Sequence, residues 1–130
     1  MTTTPAHPQA ESWARALYGD SVDQKDAVGF AAAFAEDGTL RFGNQPAIVG
    51  RPKIEEAITQ FFLAMVSLRH EFIAISCDGD TLFLEALVTY HRHDDKIVSV
   101  PAMTVFEMDD NFLARNCRIY VDLTPLFAES

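Results

Sequence analysis

From Leu68 to Leu123 the chain reads as four long β-rich runs, Leu68 to Cys77, Thr81 to Arg92, Ile97 to Met108 and Leu113 to Leu123. They are parted by the acidic turns Asp78-Gly79-Asp80, His93-Asp94-Asp95 and Asp109-Asp110-Asn111. Few folds can satisfy that pattern. Turns this short join antiparallel neighbours, and runs well beyond the usual five or six residues make a sheet that twists and curls. A curled sheet has a concave face that needs a cover, and the first half of the chain supplies helices for it. Trp13 and Leu17 stand four apart on a short helix ending at Gly19. Asp26, Ala27, Val28, Phe30, Ala31 and Phe34 mark a second helix closed by Gly38, and Ile54, Ala57, Ile58, Phe61 and Met65 a third that starts at Pro52. A short strand, Thr39 to Phe42, lies between them. The predicted class is α+β: a cone-shaped, strongly curved, mixed or antiparallel sheet with three N-terminal helices enclosing a pocket.

At 130 residues the chain has room for one domain. Residues 1–9, with Pro5 and Pro8, read as a disordered lead-in, and 10–130 as the single domain. Ten basic against 19 acidic side chains give a net charge of −9. The basic residues are scattered singly among acids, which argues against nucleic acid and anionic membrane as partners. The apolar runs are far too short for a membrane helix, and the first residues do not read as a secretory signal, so the cytoplasm is the expected compartment. Cys77 and Cys117 are too far apart for a CxxC site and are expected to be reduced packing residues. The chain has no glycine-rich phosphate loop, nucleophile elbow or thiolate motif, and no cofactor is expected.

Several segments carry a family resemblance. Phe34-Ala35-Glu36-Asp37-Gly38-Thr39-Leu40, Gly50-Arg51-Pro52-Lys53-Ile54, Leu68-Arg69-His70-Glu71 and the closing Arg118-Ile119-Tyr120-Val121-Asp122-Leu123-Thr124-Pro125-Leu126-Phe127 are similar to segments of the nuclear transport factor 2-like superfamily. Over about residues 10 to 128 the chain resembles its SnoaL-like branch, which is related to polyketide cyclases and ketosteroid isomerases. The resemblance implies a pocket for an apolar small molecule. It also implies a cofactor-independent isomerase, cyclase or dehydratase acting on a carbonyl-bearing substrate, or a non-catalytic ligand-binding or assembly module of the same fold. Position by position, Phe42 stands where ketosteroid isomerases carry their carboxylate base. Thr104 stands in place of the protonated acid, and Tyr18 matches the oxyanion donor. The Asp-Arg-Asp set of limonene epoxide hydrolases falls on Glu85, Leu87 and Ile119, which argues against that activity.

With that phase, alternation along the strands sends Glu85, Leu87, Thr89 and His91 into the cone, together with His70, Phe72, Ala102, Thr104, Phe106, Cys117, Ile119 and Val121. Phe42 joins them. The expected site is therefore catalytic His70, Glu85 and Tyr18, with Phe42, Phe72, Leu87, Thr89, His91, Ala102, Thr104, Phe106, Cys117 and Ile119 around the substrate. Glu85 on a neighbouring strand would orient the His70 imidazole as a general acid/base, while Tyr18 would donate to a carbonyl or enolate. A metal held by His70, His91 and His93 is not expected, because His93 falls at a turn. The outer face, read as carrying Leu84, Val88, Tyr90, Met103 and Val105, is apolar enough to predict a homodimer.

Overall fold

The protein, described here from a computed structural model over residues 8–128, is an α+β cone. Helix α1 (Pro8–Leu17) runs into one π-helical turn (Tyr18–Val22), followed by α2 (Ala27–Ala32), β1 (Phe34–Phe42) and β2 (Ile48–Val49). After α3 (Arg51–Leu63) come the four long strands β3 (Ser67–Asp78), β4 (Thr81–His91), β5 (Ile97–Met108) and β6 (Ala114–Val121), and then a single helical turn, α4 (Thr124–Phe127). Most of the expected lead-in lies outside the described residues, and Pro8 and Gln9 already belong to α1.

The six strands form one sheet in the order β2-β1-β6-β5-β4-β3. Only β1 and β6 run parallel; every other pair is antiparallel. The second helix is shorter than its apolar spacing predicts, because the sheet claims its last residues. The Ala33 carbonyl accepts from the Ala114 N–H at 2.9 Å, and Phe34 is already paired with Ala114. Between Phe34 and Thr39, β1 bulges away from β6. Gly38 is needed there: a Cβ on it would sit 2.8 Å from the Ala114 carbonyl oxygen.

Helix α3 buries Ile54, Ile58 and Phe62 against the concave face. At the closed end of the cone Trp13 meets Phe106 and Phe112 edge-on at 5.0 and 5.8 Å, and Phe34 packs on Phe30 at 5.3 Å. Directional ring contacts of this kind add to the area they bury.

The concave face is where the expected phase is half right. On β5 and β6, Ala102, Thr104, Phe106, Cys117, Ile119 and Val121 share the inner face, in the cross-strand pairs Ala102↔Val121, Thr104↔Ile119 and Phe106↔Cys117. On β4 the phase is inverted. Leu82, Leu84, Ala86, Val88 and Tyr90 are buried inside, so Glu85, Leu87, Thr89 and His91 are on the outer face, as are Met103 and Val105 of β5. Ile73 accounts for the inversion. It is unpaired on β3 between Phe72↔Ala86 and Ala74↔Glu85, a bulge that moves the phase by one residue.

Candidate active site

The site starts from the π-helical turn. Its wide step places the Asp23 N–H on the Tyr18 carbonyl at 2.8 Å, so Tyr18 and Asp23 stand one turn apart at the edge of the cone. Asp23 then reaches across to β3. One carboxylate oxygen lies 2.7 Å from His70 Nδ1, and the other accepts the His70 backbone N–H at 3.0 Å. Both side chains are mostly covered, at 12% and 16% exposure. A buried carboxylate accepts only, so it fixes the tautomer with the proton on Nδ1 and leaves Nε2 as the basic nitrogen. Lys25 ties down the loop that carries Asp23: its ammonium donates to the Met65 and Val66 carbonyls at 2.9 and 3.2 Å, just before β3 begins.

Tyr18 packs its ring 4.6 Å from the His70 ring and edge-on to Phe72 at 5.3 Å. Burial, and next the neighbouring Cys117, push its phenol far above the ordinary value of 10.0. The neighbouring Thr104 hydroxyl works the other way. Tyr18 is thus a neutral phenol beside Thr104. Burial raises Tyr90 in the same direction.

These groups surround a cavity in which about 40 Å³ is open to the centres of water molecules. Tyr18, His70, Thr104 and Tyr90 are its polar groups, and Phe30, Phe42, Ile58, Phe61, Phe62 and Val88 are among its apolar ones. Of the expected residues, His70, Tyr18, Phe42, Ala102, Thr104 and Ile119 line it. Phe72 stands beside it, behind Tyr18 and under the Arg15 guanidinium. Phe106 and Cys117 are fully buried in the core and do not border the cavity, and burial pushes the Cys117 thiol well up.

Four expected residues are not there. Glu85 lies on the outer face between Ala74 and Met103, and Leu87 between Glu71 and Pro101. Thr89 bonds Ser99 at 2.9 Å on that face, and His91 meets Asp95 at 3.3 Å. The His70–Glu85 pair therefore does not form, and Asp23 takes the role expected of Glu85. His93 is bonded to the Leu63 carbonyl at 2.9 Å, so the three imidazoles do not converge. Residues at the site that the sequence does not assign to it are Asp23, Tyr90, which is expected on the outer face, and the α3 pair Phe61 and Phe62. The helical stripe of α3 could have given Phe61, but nothing periodic marks Asp23.

The profile of the SnoaL-like domain matches residues 14–116. No curated protein matches the chain by sequence. Among solved structures, a hypothetical protein of ketosteroid isomerase-like fold from Catenulispora acidiphila, in complex with trimethylamine, superposes with a TM-score of 0.77 at 18% identity, covering 96% of this chain and 93% of that one. A protein described as a SnoaL-like polyketide cyclase, from Jannaschia sp. CCS1, gives 0.76 at 17% identity, over 97% and 94%. The epoxide hydrolase/cyclase-like enzyme SalBIII, described in pyran ring formation in salinomycin, gives 0.74 at 18%, over 89% and 93%. At such identities these likenesses are of fold.

Proposed function

Because the chain belongs to the SnoaL-like domain family, we propose that it is a cofactor-independent enzyme that moves protons on an apolar, carbonyl-bearing small molecule. The observation that carries this reading is the grip of Asp23 on His70 at the wall of the cavity. A carboxylate that holds an imidazole by its Nδ1–H leaves Nε2 to act as base and supports the imidazolium that forms. Nε2 takes a proton from the carbon next to the carbonyl, and the electron pair moves to the carbonyl oxygen, where the Tyr18 hydroxyl donates to it. The imidazolium then returns the proton. Delivery to another carbon gives isomerisation, and delivery to a β-hydroxyl releases water. If the enolate carbon attacks a second carbonyl, protonation of the new alkoxide completes a cyclisation. Phe42 offers no base, so the chemistry rests on His70. Among the residues lining the cavity no Asp, Glu or Arg is found, which leaves His70 as its base.

The test is hydrogen–deuterium exchange at the carbon next to the carbonyl, followed by NMR in D₂O over a panel of cyclic ketones and β-hydroxyketones. Wild type should accelerate exchange and His70→Gln should not. Binding without exchange across the panel would favour the non-catalytic, ligand-binding alternative.

We also propose that the outer face binds a second copy, although Leu84, Val88 and Tyr90 do not belong to it. Ile73, Phe83, Met103 and Tyr120 are each more than a third exposed, and Leu87 is half-buried beside them. Charge selects the geometry. Arg41 and Arg118 stand on β1 and β6, and Glu85 and Glu71 on β4 and β3, on either side of β5. A two-fold axis along β5 lays the arginine side of one sheet over the glutamate side of the other, whereas an axis across the strands sets like charges together.

A further inference from the structure

The cavity beside His70 is too small for a whole substrate. An interior with about 40 Å³ open to water centres holds only a few small molecules, whereas ligand sites run to roughly 300–1,000 Å³. On the other side of Phe42 and Phe61 lies an open groove of about 980 Å³. It is bounded by the loop from Gly43 to Ala47, by Lys53 and Ala57 of α3, and by residues 121–124. Phe42, Ile58, Phe61 and Val121 border both spaces. The two rings at the junction stand 4.9 Å apart, and Phe61 also meets Tyr90 edge-on at 6.2 Å. Anything that reaches His70 from the groove passes these rings.

The groove differs from the cavity in its polar groups. Asn44, Gln45 and Lys53 are exposed, and their side chains make no hydrogen bond or ion pair among the described residues. The one carboxylate there, Asp122, accepts both the backbone N–H and the hydroxyl of Thr124, which hold it below the usual carboxylate range. The Lys53 ammonium and the two amide NH₂ groups are thus donors left unengaged in the groove, on a chain of net charge −9.

We propose that the groove is a second subsite and that the substrate is bipartite. Its carbonyl end lies in the inner cavity, its flat middle passes Phe42 and Phe61 as they part, and a carboxylate at the far end meets Lys53 with Asn44 and Gln45. The two rings touch and are tilted by 47° to each other, so they must part to admit the middle of the substrate, and their exposed faces favour a flat, conjugated group over a bulky saturated one. An ammonium with two amide donors matches a carboxylate. This assignment rests on the reading of His70 and Tyr18 as the reacting end.

Two probes test it, 2-naphthol and 6-hydroxy-2-naphthoate. Each presents a phenol as the stand-in for an enol, and the second adds a carboxylate at the opposite end. Titrations followed by NMR should show both probes shifting the His70 ring signals and only the naphthoate shifting Lys53, Asn44 and Gln45. The naphthoate should bind at least tenfold more tightly, and in Lys53→Gln that advantage should fall below twofold. Phe42→Ala should speed 2-naphthol association severalfold. Equal affinities for the two probes, or an advantage that survives Lys53→Gln, would overturn the second subsite while leaving the function of His70 in place. If the naphthoate shifted Lys53 and neither probe reached His70, the bipartite assignment and the proposed function would fall together.

Discussion

The two halves of β3, on either side of Ile73, face β4 in opposite phase. Toward the hairpin, Ile75 and Cys77 point inward opposite Leu84 and Leu82; beyond Ile73, Leu68, His70 and Phe72 point inward opposite Tyr90, Val88 and Ala86. A hairpin closed at Asp78↔Thr81 and continued without a bulge would instead set His70 opposite Thr89 and Phe72 opposite Leu87. Glu85 would then point into the cone with them, which is the arrangement predicted from the sequence. One unpaired residue thus decides which carboxylate the imidazole meets. The difference teaches that a period-two pattern gives faces only within a segment of unbroken pairing.

Deleting Ile73 breaks the comparison most severely. The bulge would close, and either Leu68, His70 and Phe72 turn outward or the hairpin half does. Exposing two or three large apolar side chains at about 1.5–3 kcal/mol each is a large fraction of a domain's total stability of about 5–15 kcal/mol. The variant should melt at least roughly 10 °C lower, or fail to fold, by circular dichroism. Melting within a few degrees of wild type with 2-naphthol binding intact would show that the pairing does not depend on the bulge.

How much of this was legible follows from particular residues. On β5 and β6 the pairing is unbroken through the site, and alternation placed Ala102, Thr104 and Ile119 on the cavity wall. On β3 the segment Phe72-Ile73-Ala74 has no glycine or polar residue to signal the bulge that sets His70 and Glu85 on opposite faces. Val88 and Tyr90 are expected outside because the phase of β4 is taken from the family positions. The apolar residues of β4 at even numbers, Leu82 to Tyr90, did hold the correct face, but carrying over the epoxide hydrolase positions outweighed them. Asp23 was missed for a different cause. It lies in the loop between α1 and α2, 47 residues before its partner, and no local spacing links a loop carboxylate to a strand histidine so distant.

Replacing Asp23 by Asn sharpens the contrast without disturbing the register. The carboxylate accepts twice from His70, once from the ring and once from the backbone. An amide can accept only with its oxygen, so one of the two N–H donors is left facing an NH₂ group. The stability cost should be about 1–3 kcal/mol. Deuterium exchange on a carbonyl substrate should fall by about two to four orders of magnitude, because the imidazole loses both its orientation and the support for its charged form. Exchange within threefold of wild type would remove Asp23 from the mechanism.

The effect of Tyr18→Phe on stability is smaller and is confined to alkaline pH. Tyr18 and Tyr90 are raised above the ordinary 10.0, and Cys117 above 9.0, all chiefly by burial. A group whose folded value is raised contributes stability that is fully present below its unfolded value and is lost as pH climbs toward the folded one. Wild type should therefore lose stability above pH about 9–10. Without the phenol that must stay neutral, the Phe variant should lose it less steeply, while Tyr90 and Cys117 keep part of the slope. Melting temperatures between pH 7 and 11 decide this, and parallel curves for the two proteins would contradict the buried, neutral phenol.

The smallest effect belongs to Glu85→Gln, the counterpart of Asp23→Asn on the other side of the sheet. Glu85 is half-buried on the outer face and makes no hydrogen bond or ion pair among the described residues. Removing its charge takes away no partner within the chain, so unfolding of the monomer should change by no more than about 0.5 kcal/mol. The imidazole is on the opposite face, and deuterium exchange should stay within twofold of wild type. In the proposed dimer with its axis along β5, Glu85 lies on the side of the sheet that the arginine-bearing strands of the second copy cover. The variant should then weaken dimerisation slightly and lessen its dependence on salt, since an exposed or rim ion pair contributes only about 0.2–1 kcal/mol. Sedimentation at two ionic strengths measures both quantities. A collapse of exchange activity in Glu85→Gln would place this carboxylate with His70 after all, and the bulge at Ile73 would no longer explain which acid the histidine meets.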